Sequence, residues 1–427
     1  MRKNLLHPGA SELSYEIREI VEVARKIEKT GMKITWENIG DPVEKGEAIP
    51  TWLKEIVCRA CTKDEVYAYS PTRGLDKTLE YLSKNNPRLE KTDILFFNGL
   101  GDAINKIYKS LAFDSRVIGP NPAYSTHSSA EAAHAGSPHI TYKLDLENNW
   151  NPDLVDLENK VQYNPNIVGI LVINPDNPTG AVFKKEVLEK IIDIARRYDL
   201  FVVFDEIYEK LIFSGDDRVL LSDIIGEVPG ISMKGISKEL PWPGARCGWI
   251  EVYNKDKNPN FSRYINSILA SKMLEVCSTT LPQYVIPEVY ENKEFYAHLK
   301  ERRKKYKLRA DLASEVFSGM SEVTFVAPKG AFYSSIVFNL DKLNKDYKME
   351  FENKGVNELI SGIVTNSSRF DKKFCYYLLA KKGVCIVPLS GFNSTYDGFR
   401  MTLLEDDLEK YKRTLNTIKE FILEFKK

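Results

Sequence analysis

Two hydrophobic patterns alternate through the middle of the chain. Short apolar runs rich in β-branched residues are typical of buried strands, and segments with apolar positions every three or four residues are typical of amphipathic helices. Strands are predicted at 94–98, 116–118, 139–143, 167–173, 200–204, 231–233 and 249–252. Apolar strands separated by helices are typical of a parallel sheet with helices on both faces, so this region predicts an α/β layer with a mostly parallel sheet.

The two ends of the chain show a different pattern. A helical period covers residues 11–30, and the chain after residue 260 is mostly helical, with a long helix at 292–317 and a final helix from residue 405. Shorter strands are predicted near 323–338, at 384–387 and at 399–403. Strands mixed with helices in this way predict a smaller α+β domain that includes the N-terminal segment.

The domain boundaries follow from this change of pattern. We predict a large α/β domain at residues 45–295 and a smaller α+β domain formed by residues 1–44 and 296–427. The polar stretch 341–373 is interpreted as an insertion. A chain of 427 residues is long enough for two such domains with a large buried core.

Charge and composition narrow the kind of partner. With 60 Lys and Arg against 60 Asp and Glu, the formal net charge is zero, so no long-range field attracts nucleic acid or an anionic membrane. The longest apolar run, 167–173, is too short to span a bilayer, and residues 1–9 lack an apolar signal region. Only Cys58 and Cys61 are spaced like a metal or redox pair, and they lie in a helical pattern that favours ordinary packing. We therefore expect a cytoplasmic protein that acts on a small molecule and holds no metal.

A lysine and an arginine flank a turn between two strand-like segments. Lys238 follows Ser237 after the strand at 231–233, and Arg246 stands eight residues later. A partly desolvated lysine amine forms Schiff bases, and the planar guanidinium of arginine suits a phosphate. Taken alone, Ser237 and Lys238 fit an ordinary surface turn. Taken with Arg246, they suit a site that holds an aldehyde covalently and a phosphate ionically.

The turn from strand to helix at residues 98–103 is a candidate anion site. Its backbone N–H groups and the helix dipole would face outward together. A dinucleotide fingerprint would need a third glycine near position 104, where Ile104 stands. A phosphate monoester therefore fits this turn better than a dinucleotide, with a plain tight turn as the alternative.

Polar and aromatic residues follow other predicted strands. Tyr124 offers a ring on which a flat heteroaromatic ligand can stack, and His127 lies three residues on. Asn177 comes shortly after the strand at 167–173, at the edge where open α/β sheets bind ligands. Asp205 follows a buried strand, where a carboxylate is costly unless a cation or hydrogen-bond donors meet it. Each of these residues, taken singly, also fits an ordinary turn or core position.

Four motifs stand in one order along the chain with workable spacings. They are Asn177-Pro-Thr-Gly, Asp205-x-x-Tyr208, Ser237-Lys238 and Gly244-x-Arg246-x-Gly248-Trp249. The set resembles the class I/II aminotransferases, which are pyridoxal 5′-phosphate enzymes of fold type I, and the resemblance runs from about Gly40 to Arg400. It implies an enzyme that moves the amino group of an L-amino acid to a 2-oxo acid by a ping-pong mechanism.

The resemblance implies roles around the cofactor ring. Lys238 resembles the lysine that forms the internal aldimine, and Asp205 resembles the carboxylate that keeps the pyridine nitrogen protonated. Tyr124 would stack on the ring, and His127 would support Asp205. The residues that would hydrogen-bond the phenolic oxygen of the cofactor are Tyr208 and Asn177. Lys238, Asp205 and Tyr208 are thus the catalytic residues that the resemblance implies.

The resemblance also implies a phosphate site and a second subunit. The groups that would hold the phosphate are Arg246, Ser237 and the N–H groups of Leu100 and Gly101. Tyr69 resembles the tyrosine that reaches the phosphate across a subunit boundary, which implies a homodimer. Many relatives carry hydroxyl residues at the positions of Gly101 and Gly235, so the other contacts would carry more of the phosphate binding here.

Substrate binding is implied only in outline. Arg400 lies in a short strand, where arginine normally needs a carboxylate partner, and it resembles the clamp for the substrate α-carboxylate. Gly40 and Asn177 would line the same pocket. A dicarboxylic substrate needs a second cation. Some relatives supply it from a position whose nearest equivalents here are Lys272 and Leu274, with the alignment open by a residue or two. The sequence therefore leaves the amino acid donor open.

Two alternative enzymatic functions stay open at this point, whereas a non-catalytic role is disfavoured. A carbon–sulfur β-lyase or an amino acid β-decarboxylase would use the same cofactor, lysine and aspartate. A non-catalytic regulator on this fold would resemble a fusion with an N-terminal helix-turn-helix domain, for which the roughly forty residues before Gly40 leave no room.

Overall fold

The computed structural model describes residues 5–13, 16–216, 218–365 and 367–427. Residues 14, 15 and 366, on which parts of the predicted first helix and of the 341–373 stretch fall, lie outside the described residues. The strands are β1 (Thr35–Trp36), β2 (Ile94–Phe97), β3 (Arg116–Asn121), β4 (Thr141–Asp145), β5 (Asn151–Pro152), β6 (Ile167–Ile173), β7 (Phe201–Asp205), β8 (Gly230–Gly235), β9 (Gly248–Tyr253), β10 (Val323–Phe325), β11 (Tyr333–Phe338), β12 (Val384–Cys385), β13 (Val387–Pro388) and β14 (Gly398–Thr402). The helices are α1 (Glu16–Glu28), α2 (Thr51–Ala60), α3 (Asp76–Lys84), α4 (Leu100–Lys109), α5 (Ser125–Ala135), α6 (Leu154–Tyr163), α7 (Lys185–Arg197), α8 (Leu221–Ile224), α9 (Pro259–Met273), α10 (Thr280–Glu291), α11 (Lys293–Phe317), α12 (Lys354–Thr365), α13 (Phe370–Lys382) and α14 (Leu408–Glu424).

An eight-stranded sheet carries the middle of the chain, in the order β2-β9-β8-β7-β6-β3-β4-β5. The pairs β3–β4, β3–β6, β6–β7 and β7–β8 are parallel, whereas β9 runs antiparallel to both neighbours and β5 runs antiparallel to β4. Strands β6, β7 and β8 are almost entirely buried, as expected where helices cover both faces of a sheet. The predicted α/β fold with a mostly parallel sheet is confirmed.

The topology brings several strand ends to one edge of this sheet. Because β3, β6, β7 and β8 are parallel, their carboxyl ends lie at the same edge. Strand β2 runs in the same direction, since β2 and β8 both pair antiparallel with β9. The residues that follow these strands, and the residues that precede β9, therefore meet in space although they are far apart in sequence.

A second sheet, with the order β10-β11-β14-β13, is antiparallel and four-stranded. Arg400 lies in the middle of β14, opposite Ser335 of β11 and Val387 of β13. The short parallel pair β1–β12 joins the N-terminal segment to this part of the chain. The division into domains at 45–295 and at 1–44 with 296–427 stays a prediction.

Some helices begin or end at other residues than predicted. Residues 11 and 12, where the first α-helix is predicted to begin, belong to a 3₁₀ turn at Pro8–Glu12, and the described part of that helix is Glu16–Glu28. Helix α4 begins at Leu100, directly after the turn at Gly99, so the glycine turn forms the start of the helix itself. Among the described helices, none combines the length and the apolar composition needed to cross a membrane.

The stretch 341–373, interpreted from its polar composition as an insertion, contributes to the core. It contains α12, in which Val356 and Ile360 are buried, and the start of α13 with the buried Phe370. The polar residues of the stretch lower its average hydrophobicity, so composition alone does not reveal the apolar face of α12.

A buried ion-pair network ties the N-terminal segment to the C-terminal part of the chain. Lys45 Nζ lies 3.1 Å from Glu37 Oε1 and 3.1 Å from Glu405 Oε2. Glu37 is fully buried, and burial raises its pKa, while the ammonium of Lys45 lowers it. The network holds the backbone that leads to Gly40, a residue of the cavity described below.

Replacing Lys45 with methionine should destabilise the protein by about 3–5 kcal/mol, because the buried Glu37 carboxylate loses its cation. We expect a lower urea midpoint of unfolding at pH 7, followed by tryptophan fluorescence. Lys84→Met is the matched control, since the Lys84–Glu80 pair is exposed, and it should leave the midpoint unchanged. Equal midpoints for the two variants would rule out a stabilising role for the buried network.

Candidate active site

Lys238 lies in the loop that follows β8, at the carboxyl edge of the eight-stranded sheet. Its Nζ donates a hydrogen bond to the Gly40 carbonyl oxygen at 2.9 Å. Burial lowers the pKa of this amine to about 8; the charges of Arg400 and Arg246 act in the same direction, and that of Asp41 opposes them. A larger fraction of the amine is therefore neutral and nucleophilic near pH 7 than for an ordinary lysine.

Asp205 ends β7, and its carboxylate is almost completely buried. Oδ1 accepts a hydrogen bond from the backbone N–H of Ile207 at 3.2 Å, and Oδ2 lies 3.1 Å from Nε2 of His127. Nδ1 of His127 lies 3.1 Å from the hydroxyl of Tyr108. Burial raises the pKa of this hydroxyl well above its ordinary value. With the Asp205 carboxylate ionised and the imidazole neutral, Nε2 donates to Asp205 and Nδ1 accepts from the Tyr108 hydroxyl. This chain of hydrogen bonds orients the carboxylate at the cavity wall.

Arg400 reaches the cavity from β14 and is almost entirely buried. Its guanidinium lies 4.4 Å from the centre of the Tyr333 ring, and its Nη2 donates to the Asn38 carbonyl oxygen at 2.5 Å. Its Nη1 lies 3.5 Å from Asn177 Oδ1. The Tyr333 hydroxyl also accepts a hydrogen bond from the Tyr208 hydroxyl at 3.2 Å. Ring and carbonyl contacts thus orient a cation that can bind a carboxylate.

The N-terminus of α4 and Arg246 form one corner of the site. Gly99 precedes the helix with φ of 80°, a backbone conformation that favours glycine, and a Cβ there would lie 2.2 Å from Nη2 of Arg246 and displace that guanidinium. Arg246 itself has a left-handed backbone with φ of 48°. The N–H groups of Leu100 and Gly101 belong to the first turn of α4, where the helix dipole favours an anion. The donors in this corner fit a phosphate.

These groups share one cavity of about 640 Å³, a size within the range of about 300–1,000 Å³ that is typical of ligand sites. The predicted site residues that line it are Gly40, Leu100, Gly101, Tyr124, Asn177, Asp205, Tyr208, Ser237, Lys238, Arg246 and Arg400. His127 lies behind Asp205 rather than at the wall. Tyr69 does not line this cavity, and its side chain is 83% exposed.

Two tyrosines near the site were missed by the sequence analysis. Tyr108 lies on α4 beside the buried Ile104 and Ile107, and Tyr333 opens the buried strand β11. Both patterns are typical of core residues. The available signal was weak: a hydroxyl on an otherwise apolar buried face needs a hydrogen-bond partner.

Neither of the two positions compared with the second-cation position of some relatives lies at the cavity wall. Lys272 is fully buried, and its Nζ lies 3.2 Å from Asp102 Oδ2 and also contacts Glu275. Leu274 is 91% exposed. The charge of Lys272 is therefore compensated by carboxylates of the same chain.

Comparison with known proteins identifies relatives of this chain. A family model described as aminotransferase class I and II matches residues 39–418. An uncharacterized aminotransferase from Methanocaldococcus jannaschii is 51% identical over 432 residues, covering 100% of both chains. A glutamate-pyruvate aminotransferase from Haemophilus influenzae is 27% identical, covering 97% of this chain and 100% of its own. The solved structure of an alanine aminotransferase from Pyrococcus furiosus superposes with a TM-score of 0.83 at 26% identity, covering 97% of this chain and 99% of its own.

The lowered pKa of Lys238 predicts how its amine reacts as the pH changes. In the ligand-free protein, acetylation of Lys238 by limiting acetic anhydride should rise about tenfold per pH unit below pH 8 and level off above it, because only the neutral amine reacts. Peptide mass spectrometry measures the labelled fraction. The same lysine in urea-unfolded protein is the control, and its labelling should continue to rise up to about pH 10. Identical profiles in the two states would contradict the effect of burial.

Proposed function

Because the chain belongs to the class I and II aminotransferases, we propose that the residues around its cavity carry out amino-group transfer in the roles given below. The protein is a pyridoxal 5′-phosphate-dependent aminotransferase of fold type I, so the family, fold, activity and cofactor expected from the sequence are confirmed. The relatives described above are all named aminotransferases, which supports amino-group transfer and gives no support to the β-lyase or β-decarboxylase alternative.

The residues of the cavity fit this cofactor group by group. Lys238 offers an amine of lowered pKa for the aldehyde, and Asp205 offers a buried carboxylate for the pyridine nitrogen. Arg246 and the N-terminus of α4 offer guanidinium and N–H donors for the phosphate, and Ser237 adds a hydroxyl. The observation that carries the proposal is that these groups, from separate segments of the chain, line one cavity.

The chain's own residues orient the reactants and move the proton. When bound, pyridoxal 5′-phosphate supplies an aldehyde that condenses with an amine and a protonated ring that withdraws electrons from the bonds at the substrate Cα. Asp205 keeps the ring nitrogen protonated, and His127 with Tyr108 holds that carboxylate in place. The Lys238 amine would take the proton from the substrate Cα and deliver it to the carbon of the cofactor's aldehyde group, a general acid–base role typically worth about 10² to 10⁴ in rate.

Two side chains hydrogen-bond the phenolic oxygen of the cofactor ring in this proposal. They are Tyr208 and Asn177, and both line the cavity. Burial raises the pKa of Tyr208 well above its ordinary value, so its hydroxyl stays protonated, and the proton that it donates to the Tyr333 hydroxyl in this structure would turn toward the phenolic oxygen. Tyr333 contacts both Tyr208 and Arg400 and is thus a positioning residue for the two. Tyr124, at the cavity wall, stacks on the ring.

The substrate α-carboxylate binds to Arg400. Its planar guanidinium matches a carboxylate, and the contacts with Tyr333 and Asn38 hold it in one orientation. Gly40 and Asn177 line the same cavity, and a Cβ on Gly40 would lie 2.3 Å from the Tyr333 hydroxyl. The names of the relatives make alanine, glutamate, pyruvate and 2-oxoglutarate the first substrates to test.

The active enzyme is a homodimer in which Tyr69 reaches the phosphate of the partner subunit's site. Exposed apolar side chains occur in two segments, at Tyr67 and Tyr69 and, from the end of α9 into the following loop, at Met273, Leu274 and Val276. The hydroxyl of Thr72 donates to the Val276 carbonyl oxygen at 2.8 Å, so the loops lie side by side. The hydroxyl of Thr279 donates to the Arg246 carbonyl oxygen at 3.1 Å, which connects this surface with the phosphate corner. Exposed apolar surface of this kind is typical of protein interfaces.

A cytoplasmic location fits the six cysteines, all of which are free thiols. The division into a large domain at 45–295 and a small domain at 1–44 and 296–427 fits the two sheets. The eight-stranded sheet lies within the first range, and the four-stranded sheet lies within the second.

The reaction class is tested by adding one amino acid at a time to the purified holoenzyme. We expect L-alanine or L-glutamate to convert one equivalent of cofactor per subunit to pyridoxamine 5′-phosphate and release the matching 2-oxo acid, after which the reaction stops. Lys238→Ala should slow this step by about 10² or more, because the proton carrier is lost. Lys300→Ala, at an exposed position on α11, is the control.

Two outcomes would contradict this reaction. Continuous release of pyruvate and ammonia from a single amino acid would show β-elimination instead. A pyridoxyl label found on a residue other than Lys238, after borohydride reduction and peptide mapping, would overturn the lysine assignment.

The cross-subunit role of Tyr69 predicts that two defective variants complement each other. Tyr69→Ala should loosen the cofactor, and Lys238→Ala should be inactive. If Tyr69 acts across the interface, a hybrid dimer of the two variants contains one intact site. We expect that mixing the variants, unfolding them reversibly and refolding them restores activity. When the chains assort at random, the activity per subunit should be about a quarter of the wild-type value. Mixing each variant with itself is the control, and a mixture with no gain would place Tyr69 outside the partner's site.

A further inference from the structure

Two arginines of helix α1 line the cavity and have no role in the proposed mechanism. Arg18 and Arg25 line it together with Val21, and residues 18, 21 and 25 form one stripe on a helix. The apolar face of α1, with Ile20, Val23, Ala24 and Ile27, is buried in the core. Packing of that face holds the arginine stripe over the cavity.

The charges at the cavity wall show which cations are still available. Lys238, Arg246 and Arg400 are accounted for by the aldehyde, the phosphate and the substrate α-carboxylate. The only other charged groups on the wall within the described residues, apart from Asp205, are Arg18, Arg25, Asp41 and Glu44. The Asp41 carboxylate accepts hydrogen bonds from the N–H groups of Val43 at 2.9 Å and Glu44 at 3.3 Å. It is thus engaged with its own turn.

Within the described residues, the guanidinium groups of Arg18 and Arg25 are not engaged by other side chains or by the backbone. Across the parts of the chain that the structure describes, no hydrogen bond or ion pair engages the side chain of Arg18 or Arg25, and both residues are exposed. Lys272, in contrast, is fully buried and paired with Asp102 and Glu275. The available positive charge at the cavity therefore comes from α1.

We propose that Arg18 and Arg25 form the subsite for the distal carboxylate of a dicarboxylic substrate, an acidic amino acid or its 2-oxo acid. This inference rests on the proposed function, since it concerns the second carboxylate of a substrate whose first carboxylate binds Arg400. The guanidinium fork matches a carboxylate. The helical rise separates the two residues by about 10 Å along the helix axis. Single variants therefore measure the contribution of each arginine, and the double variant removes both.

The exposure of the two arginines explains how one site can also accept a short neutral substrate. A buried cation without a partner would carry a large desolvation cost whenever the distal carboxylate is absent. Exposed guanidinium groups stay hydrated instead, so a substrate such as alanine leaves them in water at little cost. A ping-pong transfer between an acidic and a neutral amino acid requires this tolerance.

The test compares acidic and neutral half-reactions of the holoenzyme. In Arg18→Gln/Arg25→Gln, kcat/KM for glutamate and 2-oxoglutarate should fall about 10- to 100-fold, as expected for loss of a charge-assisted hydrogen bond, and should change less than about threefold for alanine and pyruvate. Equilibrium binding of glutarate, but not of butyrate, should weaken by a similar factor in calorimetry. Lys26→Gln/Lys29→Gln removes the same charge from positions outside the cavity wall and is the matched control.

The outcomes separate this inference from the proposed function. An equal loss for glutamate and alanine would mean that the arginines serve the site as a whole, for example by pairing with Asp41 or Glu44, and it would overturn the subsite. Unchanged kinetics of the double variant, or a wild-type enzyme that reacts with alanine but not with glutamate, would also overturn it while leaving the aminotransferase assignment intact. A wild-type holoenzyme that converts no amino acid at all would instead defeat the proposed function.

Discussion

The desolvation of the Lys238 amine is the constraint on which the rest of the site depends. A lysine acts as a nucleophile and proton carrier only when a fraction of its amine is neutral. Burial lowers the pKa of this amine to about 8. The loop after β8 supplies the lysine, but Gly40, from the other end of the chain, supplies the carbonyl that its Nζ contacts. The buried Lys45 network and the β1–β12 pair hold that N-terminal segment in place. The reactivity of one amine thus depends on contacts between distant parts of the sequence.

Several cationic side chains line the cavity, and they differ in how deeply they are buried and in which groups they contact. Arg400 is buried against the Tyr333 ring and a carbonyl oxygen, so it has one orientation. Arg246 is exposed beside the start of α4, where backbone N–H groups add to its charge. Arg18 and Arg25 stay in water on α1. A buried, oriented cation suits a carboxylate that every substrate carries, whereas hydrated cations suit a group that only some substrates carry.

Much of the site could be predicted because its residues follow recognisable strands. Asp205 ends an apolar run that is visibly a buried strand, and Lys238 follows another at a glycine turn. Tyr108 and Tyr333 escaped prediction because a tyrosine within an apolar helix or strand has the pattern of a core residue. Arg18 and Arg25 escaped because the polar face of an amphipathic helix normally faces bulk water. Neither pattern says which distant element packs nearby.

The sequence by itself determined the α/β class, the positions of the strands along the chain, the motif residues and, through their resemblance to a family, the cofactor. These properties depend on the local hydrophobic period and on short spacings, which are written in consecutive residues. Only the tertiary structure decided that Lys272 is compensated by Asp102 and Glu275, that Tyr108 supports His127, and that α1 turns two arginines toward the cavity. The physical reason is that desolvation and ion pairing are sums over neighbours in space, and those neighbours come from segments that sequence patterns describe one at a time.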